Sequence, residues 1–554
     1  MKFNISLGDS SSKTILSPEQ EAIKAFPLTN PHDNLVIEGV AGCGKSTMLI
    51  ILLTELVNKL KLTNPRPRIC ITVLAFNSKI KSEMQSKVSN AMLDEWIEVM
   101  TLNAMGWKVC RRQRNVYAVN KTKLRDIVSR IVKEKNRSFT LITPLVRLVT
   151  LAKDSLIGVN NDINDNEPWN QLINFHGLEF DTDTPLWLIL KMAQESLKYN
   201  NNLENFDKKT MFDYGDQIYM PLLKGWRFDF YDYILVDEAQ DVNASKIAML
   251  KALAAAETNN IESGEVTKPI VYAVGDRRQA IYGFTGSLAD GLDQLKVAFN
   301  AKELPLSYTW RCDEAIVKSA QTIVPQIKPR PNAGPGLVTR IPMADFELLV
   351  PGTPIAPEIK KPDLEDLKST DMILCRNNAP NVELAFSLIR RGFPCRIEGK
   401  DIGQDLKKYL TRWKIFNLEA LSDRLYEFIK RERDKAEATG DDSEIATLED
   451  QCLCLQVLID RCLSLGRTSM SSLEEMIDEM FTDSVAGVPQ KLLTLSSIHK
   501  AKGLEAERVF ILGANAYMPS RYARQPWQLE QEDNLRYVAI TRAKKVLVWI
   551  NVNP

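Results

Sequence analysis

Short apolar runs alternate with amphipathic helical segments along most of the chain. Residues 35–37, 69–75, 233–236 and 270–274 are apolar runs of the kind found in buried parallel strands. A second series of such runs occupies residues 372–375, 508–512 and 546–552. The alternation predicts an α/β protein with parallel sheets, and the two series predict two α/β units.

Two stretches break this rhythm with helical patterns alone. In the first, the apolar residues are spaced i, i+3, i+4, i+7 and i+8, which predicts an amphipathic helix. These residues are Leu124, Ile127, Val128, Ile131 and Val132. The second stretch, residues 412 to about 486, carries further apolar stripes, and Ser471 with Glu474 forms a capping-box pattern. We therefore expect a helical insertion in each α/β unit, and we expect Cys452 and Cys454 in the second to be core residues.

Basic residues cluster at the start of the first insertion. The cluster consists of Arg111, Arg112, Arg114, Lys121, Lys123 and Arg125. Such a cluster is more typical of a solvated helix face than of a nucleic-acid-binding patch, although both interpretations fit the sequence.

Composition narrows the class of protein. A chain of 554 residues is too long for one core, and Lys plus Arg equal Asp plus Glu at 71 each. A nucleic-acid partner would therefore be held by local patches rather than by net charge. The nine cysteines include no Cys-x-x-Cys pair, and we expect reduced thiols. Without a secretory pattern or a membrane-length apolar run, the sequence predicts a soluble intracellular protein with no membrane partner.

Residues 34–50 join an apolar run to a glycine-rich turn and an apolar helix. Gly39, Gly44, Lys45 and Ser46 fill the fixed positions of a phosphate-binding loop, and Gly42 adds a further flexible point. In such loops backbone N–H groups converge on a polyphosphate, the lysine reaches the β- and γ-phosphates, and the hydroxyl coordinates Mg²⁺. The pattern predicts a nucleoside-triphosphate site.

Polar residues at the ends of two later strands complete this chemistry. Asp237 and Glu238 follow an apolar strand, where the first carboxylate can hold Mg²⁺ and the second can orient or deprotonate the attacking water. Gln279 follows the strand at 270–274 and is placed to sense a γ-phosphate. Gln20, near a capped helix start, could read an adenine edge, although a lone glutamine is usually a surface residue.

Other residues at predicted strand ends are candidates for contact with unpaired bases. Phe76 and Asn77 follow one strand and Thr101 ends another, while Tyr282 and Phe284 offer flat apolar faces. Bases stack on such faces in proteins that bind single strands. Core packing and simple polar strand ends are the alternatives at these positions.

Four motifs, in this order, resemble the superfamily 1 DNA helicases of the UvrD/Rep/PcrA type. They are VDEAQD at 236–241, VGD with QAIY at 274–282, HKAKGLE at 499–505 and YVAITRA at 537–543. The resemblance covers nearly the whole chain. Two departures affect expected contacts: Thr285 stands where the family usually has Arg, and Asn103 replaces a common His.

The resemblance implies two tandem RecA-like P-loop domains with parallel sheets, each carrying a helical insertion. The implied segments are residues 1–110 and 206–303 for the first domain with its insertion at 111–205, and 304–411 and 487–554 for the second with its insertion at 412–486. ATP would bind in the cleft between the domains, with single-stranded DNA across their top.

The resemblance also assigns roles to residues. The implied catalytic set is Lys45, Asp237, Glu238, Gln279, Arg311 and Arg542. The implied nucleotide-binding set is Gln20, Gly39, Gly42, Cys43, Gly44, Lys45, Ser46, Thr47, Trp310 and Glu505. Ser46 and Asp237 would hold the metal, Gln20 and Trp310 the adenine, and Glu505 the ribose. The implied DNA-binding set is Phe76, Asn77, Thr101, Tyr282, Phe284 and His499.

The sequence thus favours an ATP-dependent DNA helicase that moves along single-stranded DNA, 3′ to 5′ as in its nearest relatives, in replication, repair or recombination. A translocase that strips proteins from DNA or remodels forks is the first alternative, because the second insertion is small. A DNA-binding scaffold with a decayed ATPase is disfavoured by the intact catalytic set, and a nucleotide kinase or GTPase by the second α/β unit. We expect a monomer in the cytoplasm of a bacterial or phage-infected cell, associated with the nucleoid, acting on tailed duplexes with loading, replication or repair proteins.

Overall fold

A computed structural model describes most of the chain in two compact units, Met1–Ser307 and Tyr308–Pro554. The described residues are 16–63, 66, 68–113, 116–178, 180, 183–203, 210–259, 266–281, 290–353, 362–391, 393–413, 415–439, 445–482 and 492–552. None of the described helices is both long enough and apolar enough to cross a membrane.

A parallel sheet of six strands forms the centre of the first unit's described part. Its strands are β1 (Leu35–Gly39), β2 (Ile71–Ala75), β3 (Ile97–Thr101), β4 (Tyr233–Val236), β5 (Ile270–Gly275) and β6 (Lys302–Leu306). They lie in the order β6-β1-β5-β4-β2-β3. All five residues of β2 and all four of β4 are buried, as expected for strands covered on both faces.

Helices cover this sheet. They are Pro18–Thr29, Lys45–Thr63, Ser78–Asn90, Leu102–Cys110, Asp216–Leu223, Ala244–Ala254 and Gly291–Ala298. Short 3₁₀ turns, Ala239–Asp241 and Arg277–Gln279, follow β4 and β5. Because all six strands are parallel, the residues that follow β1, β2, β4 and β5 emerge at one edge of the sheet.

The last strand of the first sheet corrects the predicted domain boundary. Strand β6 pairs with β1 from Leu35 opposite Lys302 to Gly39 opposite Leu306. The boundary predicted between residues 303 and 304 falls inside this strand. The chain instead divides into its two compact units between Ser307 and Tyr308.

The first insertion is helical, as its periodicity predicted. Its helices are Lys123–Glu134, Ile142–Asp154, Asn166–His176 and Leu186–Asn201, with a 3₁₀ turn at Phe139–Leu141 and a small parallel pair, Val116–Val119 with Thr210–Phe212. The five apolar residues that predicted the first helix are all buried. They pack in a core around the fully buried Trp169.

Lys123 departs from its predicted place on a solvated face. Its side chain is buried, and its Nζ lies 2.6 Å from Oδ2 of Asp216. Lys153 Nζ lies 2.8 Å from the other oxygen of Asp216 and 2.7 Å from Asp213. Two lysines and two aspartates therefore form a buried ionic cluster, which satisfies charges that would otherwise be costly to bury. Arg114 lies outside the described residues.

The second unit contains a parallel sheet of seven described strands. They are β7 (Leu337–Pro342), β8 (Met372–Cys375), β9 (Cys395–Glu398), β10 (Phe481–Thr482), β11 (Leu493–Ser497), β12 (Ala506–Leu512) and β13 (Ala543–Asn551). Their order is β7-β13-β12-β8-β11-β9-β10. The helices around them are Glu314–Ala320, Met343–Glu347, Ala379–Arg390, Lys400–Arg412, Ala514–Tyr517 and Pro526–Ile540. Two small strand pairs, Tyr308–Thr309 with Lys328–Pro329 and Thr258–Asn259 with Val266–Thr267 of the first unit, complete the described strands.

Three helices form the described part of the second insertion: Leu418–Thr439, Ile445–Ser464 and Met470–Met480. Cys452 and Cys454 are buried in its core, as predicted. The predicted capping box at Ser471 is wrong by two residues. Ser469 is the N-cap, and its hydroxyl accepts a hydrogen bond from the N–H of Ser472 at 3.2 Å.

Candidate nucleotide site and nucleic-acid interface

The glycine-rich turn between β1 and helix Lys45–Thr63 has the geometry of a phosphate-binding loop. Gly42 and Gly44 have φ angles of +71° and +83°, which residues with a Cβ rarely adopt. A Cβ on Gly39 would lie 2.7 Å from Sγ of Cys43 and 2.9 Å from Cγ of Lys45. The glycines therefore permit a tight loop that ends at a helix N-terminus, where backbone N–H groups point outward.

Lys45 is held across this loop. Its Nζ donates to the carbonyl oxygens of Gly39 at 3.0 Å and Val40 at 3.3 Å, and it lies 3.8 Å from Oδ2 of Asp276. Ser46 is half-buried and Thr47 exposed in the first helical turn. Cys43 is buried, and burial raises the pKa of its thiol to about 11. Its side chain is thus a neutral packing group, which leaves its backbone as the part that a phosphate could meet.

Gln20 is buried rather than on the surface. Its Oε1 accepts from the N–H of Ser17 at 2.9 Å, while Ser17 Oγ accepts from the N–H of Gln20 at 3.2 Å. The Nε2 of Gln20 lies 4.0 Å from the position that a Cβ on Gly44 would occupy. This capping box therefore fixes the glutamine amide against the phosphate-binding loop.

Asp237 and Glu238 follow β4 as adjacent acids. The N–H of Asp237 donates to the carbonyl of Leu74 in β2, and its Oδ1 accepts from the N–H of Glu238 at 2.9 Å. Burial, helped by the negative charge of Glu238, raises the pKa of Asp237 to about 7. Glu238 has φ +51° and ψ +44°, a left-handed conformation that is strained for a residue with a side chain.

Two residues outside the predicted site connect its parts. Gln240 donates from Nε2 to Oε2 of Glu238, and its Oε1 accepts from the N–H of Asp276 at 3.0 Å. Oδ2 of Asp276 accepts from Nε2 of Gln279 at 2.6 Å and faces Lys45. Burial raises the pKa of Asp276. Lys45, Glu238 and Gln279, predicted from separate motifs, thus belong to one network whose links, Gln240 and Asp276, are buried.

The sequence signal for these two links was present in the same motifs. Gln240 and Asp276 lie within the quoted VDEAQD and VGD stretches, directly after buried strands. A buried polar residue next to a strand end commonly has a partner on the neighbouring strand. The sequence alone did not show which partner that was.

The candidate DNA contacts of the first unit lie at the ends of β2 and β3. The side chains of Asn77 and Thr101 are N-caps and accept from the N–H groups of Ile80 at 2.9 Å and Ala104 at 3.1 Å. Asn103, one of the two departures, donates from Nδ2 to the carbonyl of Tyr214 at 2.8 Å, and the Tyr214 side chain is about half exposed. Tyr282 and Phe284 lie outside the described residues, as does Thr285.

In the second unit, Arg311 and Glu505 form an ion pair. Nε of Arg311 lies 2.7 Å from Oε2 of Glu505, and its Nη1 donates to the carbonyl of Thr541 at 3.0 Å. Lys544 Nζ lies 2.8 Å from the other oxygen of Glu505. Burial opposes ionisation of Glu505, but the two cations outweigh it and lower the pKa of the carboxyl. Trp310, next to Arg311, is 41% exposed.

Arg542 is almost completely buried. Its guanidinium donates to the carbonyls of Val538 at 2.9 Å and Leu504 at 3.1 Å, and to Oγ1 of Thr541 at 3.3 Å. Burial and the positive charge of Arg311 lower its pKa to about 9. A buried cation held by neutral oxygens is suited to receive an anionic ligand.

His499 follows β11 and is half-buried. Burial and the charges of Arg376 and Lys500 lower its pKa to about 3, so the imidazole is neutral at physiological pH. A neutral ring can stack on a base or exchange hydrogen bonds with it.

Two family models and several known proteins match this chain. The family model described as "UvrD/REP helicase N-terminal domain" matches residues 16–300, and the one described as "UvrD-like helicase C-terminal domain" matches residues 402–553. A probable DNA helicase II homolog of Mycoplasma pneumoniae is 23% identical, and the alignment covers 100% of this chain and 85% of that protein. The ATP-dependent DNA helicase PcrA of Staphylococcus epidermidis is 22% identical, with 97% and 83% covered. The ATP-dependent DNA helicase Rep of Buchnera aphidicola subsp. Acyrthosiphon pisum is 26% identical, with 54% and 44% covered.

Proposed function

The chain belongs to the UvrD/Rep family of DNA helicases, and we propose that it uses ATP and Mg²⁺ to move 3′ to 5′ along single-stranded DNA and to unwind tailed duplexes. The observation that carries this proposal is the network that joins Lys45, Glu238 and Gln279 through the buried residues Gln240 and Asp276. It connects a phosphate-binding cation, a candidate base and a γ-phosphate sensor through hydrogen bonds and, at Lys45, an ion pair. This is the arrangement that phosphoryl transfer to water needs.

The residues after β1 and β4 fit a magnesium ion. Ser46 and Asp237 would hold it, since a hydroxyl and a buried carboxylate are hard oxygen ligands. Burial and, after it, the charge of Glu238 raise the pKa of Asp237, and a divalent cation bound there would favour the ionised carboxylate. When bound, the ion would supply positive charge to the β- and γ-phosphates.

The protein's own groups supply the remaining chemistry. Glu238, oriented by Gln240, would position the attacking water and accept its proton, while Lys45 and Gln279 would hold the γ-phosphate. Arg311 and Arg542 of the second unit would stabilise the charge that develops on the phosphate oxygens.

The other candidate residues would bind the nucleotide. The buried amide of Gln20 would read the adenine edge, and the exposed indole of Trp310 would stack on the ring. Glu505 would bind the ribose hydroxyls. Gly39, Gly42, Cys43, Gly44 and Thr47 would contribute the loop and its backbone N–H groups.

On the DNA side, Phe76 and His499 would stack on or contact bases, and Asn77 and Thr101 would contact the strand from their helix N-termini. The same role is proposed for Tyr282 and Phe284. We place the enzyme in replication, repair or recombination, as a cytoplasmic, nucleoid-associated monomer that works with loading proteins.

Strand displacement tests the function. Two matched duplexes, one with a 3′ tail and one with a 5′ tail, are incubated with the protein, ATP and Mg²⁺, with Glu238→Gln as the control. We expect only the 3′-tailed duplex to open, and the control to open neither. Opening from the 5′ tail would overturn the direction.

The same assay distinguishes a helicase from the alternative, a translocase with little unwinding activity. If neither duplex opens while single-stranded DNA still stimulates hydrolysis, the protein is a translocase that removes proteins or remodels forks. The compact second insertion, with helices from Leu418 to Met480, supports that alternative. If single-stranded DNA does not stimulate hydrolysis at all, the motor assignment is wrong.

A further inference from the structure

Lys246 connects the candidate DNA contact Phe76 to the segment that carries the catalytic acids. Its Nζ lies 4.3 Å from the centroid of the Phe76 ring, a close cation–π contact. The same Nζ donates to the carbonyl oxygen of Asp241 at 3.2 Å. The N–H of Asp241 in turn donates to the carbonyl of Glu238 at 3.1 Å. Two hydrogen bonds and one cation–π contact therefore link the ring to the backbone of Glu238.

The backbone of Lys246 is held by the N-cap of its helix. It lies in the first turn of helix Ala244–Ala254, and the N-cap Asn243 accepts its N–H through Oδ1 at 3.0 Å. Ser245 Oγ also bonds Oδ1 of Asn243 at 3.0 Å. The cap at Asn243 and the bond from Lys246 Nζ to Asp241 therefore join the start of this helix to the turn that follows Asp237 and Glu238.

The lysine is also held electrostatically. Burial lowers the pKa of Lys246, and the negative charges of Asp154 and Asp241 oppose this. Asp154 is the last residue of helix Ile142–Asp154 in the first insertion. The ammonium therefore interacts with groups from three elements: the end of β2, the turn after β4 and a helix of the insertion. A lysine needed only for solubility would extend into water, as the exposed Lys251 does on the same helix.

We propose that Lys246 is a positioning residue that couples DNA bound at Phe76 to the catalytic acids Asp237 and Glu238. The inference rests on the proposed function, which assigns Phe76 to DNA. A base that binds at Phe76 would contact the same ring that the ammonium of Lys246 contacts. Displacement of the ring by a base would change the position of Lys246 and, through Asp241, the backbone of Glu238.

The test measures ATP hydrolysis by the full-length protein over a range of oligo(dT) concentrations. The variants are Lys246→Met, Lys246→Arg, Lys246→Gln, Phe76→Ala and the double variant Lys246→Met with Phe76→Ala. The matched control is Lys251→Met, which removes an exposed lysine from the same helix. Each curve gives the ratio of the DNA-saturated rate to the DNA-free rate and the oligo(dT) concentration at half-saturation. KM for ATP is measured in parallel.

We expect Lys246→Met to lower the ratio of the two rates about tenfold with little change in KM for ATP, as loss of a partly buried cation–π contact would do. Lys246→Arg keeps a cation over the ring and should retain most of the stimulation. Lys246→Gln keeps a donor for Asp241 but lacks the charge, so its rate ratio should resemble that of Lys246→Met. If Lys246→Met does not fold, Lys246→Gln takes its place in the test. Lys251→Met should behave as the wild type. In the Phe76→Ala background, Lys246→Met should add less than about a twofold effect, because coupled residues are not additive.

Two results would overturn the inference: Lys246→Met and Lys246→Gln behaving as Lys251→Met, or the Lys246→Met effect multiplying fully with that of Phe76→Ala. A third result would show that the premise, DNA binding at Phe76, is wrong. If Phe76→Ala itself leaves the response to oligo(dT) unchanged, the DNA role of Phe76 is wrong, and the inference fails with it.

Discussion

At the scale of single residues, Gly275 leaves the space that Gln240 needs. A Cβ on Gly275 would lie 2.7 Å from Oε1 and 3.0 Å from the backbone N of Gln240. We predict that Gly275→Ala displaces Gln240, lowers the free energy of unfolding by about 1–3 kcal/mol and reduces kcat for ATP more than it raises KM. Urea unfolding and steady-state hydrolysis measure both effects. An unchanged kcat would show that Gln240 does not orient Glu238.

Single residues were predictable where a fixed motif requires them. Lys45, Asp237 and Gln279 could be proposed as site residues because each occupies a fixed position relative to a strand end. The links Gln240 and Asp276 are 36 positions apart, and only the pairing of β4 with β5 brings them together. Lys123 was misplaced for the same reason, since its partner Asp216 is 93 residues away. A helical period indicates a polar face but not a distant buried acid.

At the scale of elements, helices Leu102–Cys110 and Asp216–Leu223 approach closely at Gly106. A Cβ there would lie 1.9 Å from the carbonyl oxygen of Gln217, which is backbone and cannot rotate away. We predict that Gly106→Ala lowers the free energy of unfolding by about 3 kcal/mol or more. The control Ala104→Ser, exposed on the same helix, should change it by less than about 1 kcal/mol. Equal urea midpoints for the two variants would contradict the close packing.

His176, the last residue of helix Asn166–His176, makes the first insertion sensitive to acid. Burial, with a smaller contribution from the charge of Arg147, lowers its pKa from 6.5 to about 4. As the pH falls below 6.5 the unfolded chain binds a proton that the folded protein resists, so stability is lost between about pH 6.5 and pH 4.

We predict that His176→Leu removes this part of the acid sensitivity. Between about pH 7.5 and pH 5, the wild type should lose about 2 kcal/mol more stability than the variant. Urea unfolding at the two pH values measures the difference, and His32→Gln, at an exposed histidine, is the control. If both variants lose the same stability as the wild type, His176 does not titrate with a lowered pKa.

At the scale of the whole molecule, the alternation of strands and helices was sufficient to predict two α/β units with helical insertions. It could not predict which strand lies at the edge of the first sheet, next to β1. Strand β6 follows helix Gly291–Ala298 and precedes the second unit, so the sequence pattern allows either assignment. Its pairing with β1 decides the matter, and the division then falls after Ser307. Strand neighbours are set by tertiary packing, which a local pattern does not contain.

The charge balance of the whole chain determines how its DNA binding should respond to salt. With 71 basic and 71 acidic residues, we predict that a few local phosphate contacts together with base stacking hold single-stranded DNA. Each phosphate contact contributes about −0.7 to the slope of log K against log salt, so five or fewer give a slope of about −3.5 or shallower. Fluorescence anisotropy of a labelled oligo(dT) between about 50 and 300 mM NaCl measures this slope.

Phe76→Ala should weaken binding at every salt concentration without changing the slope of log K against log salt, because stacking releases no counterions. The control Lys251→Met, which removes a charge from an exposed site outside the proposed interface, should leave both the slope and the affinity unchanged. A wild-type slope of about −7 would instead require some ten phosphate contacts. That result would mean that a long basic track, and not stacking at the strand ends, holds the DNA.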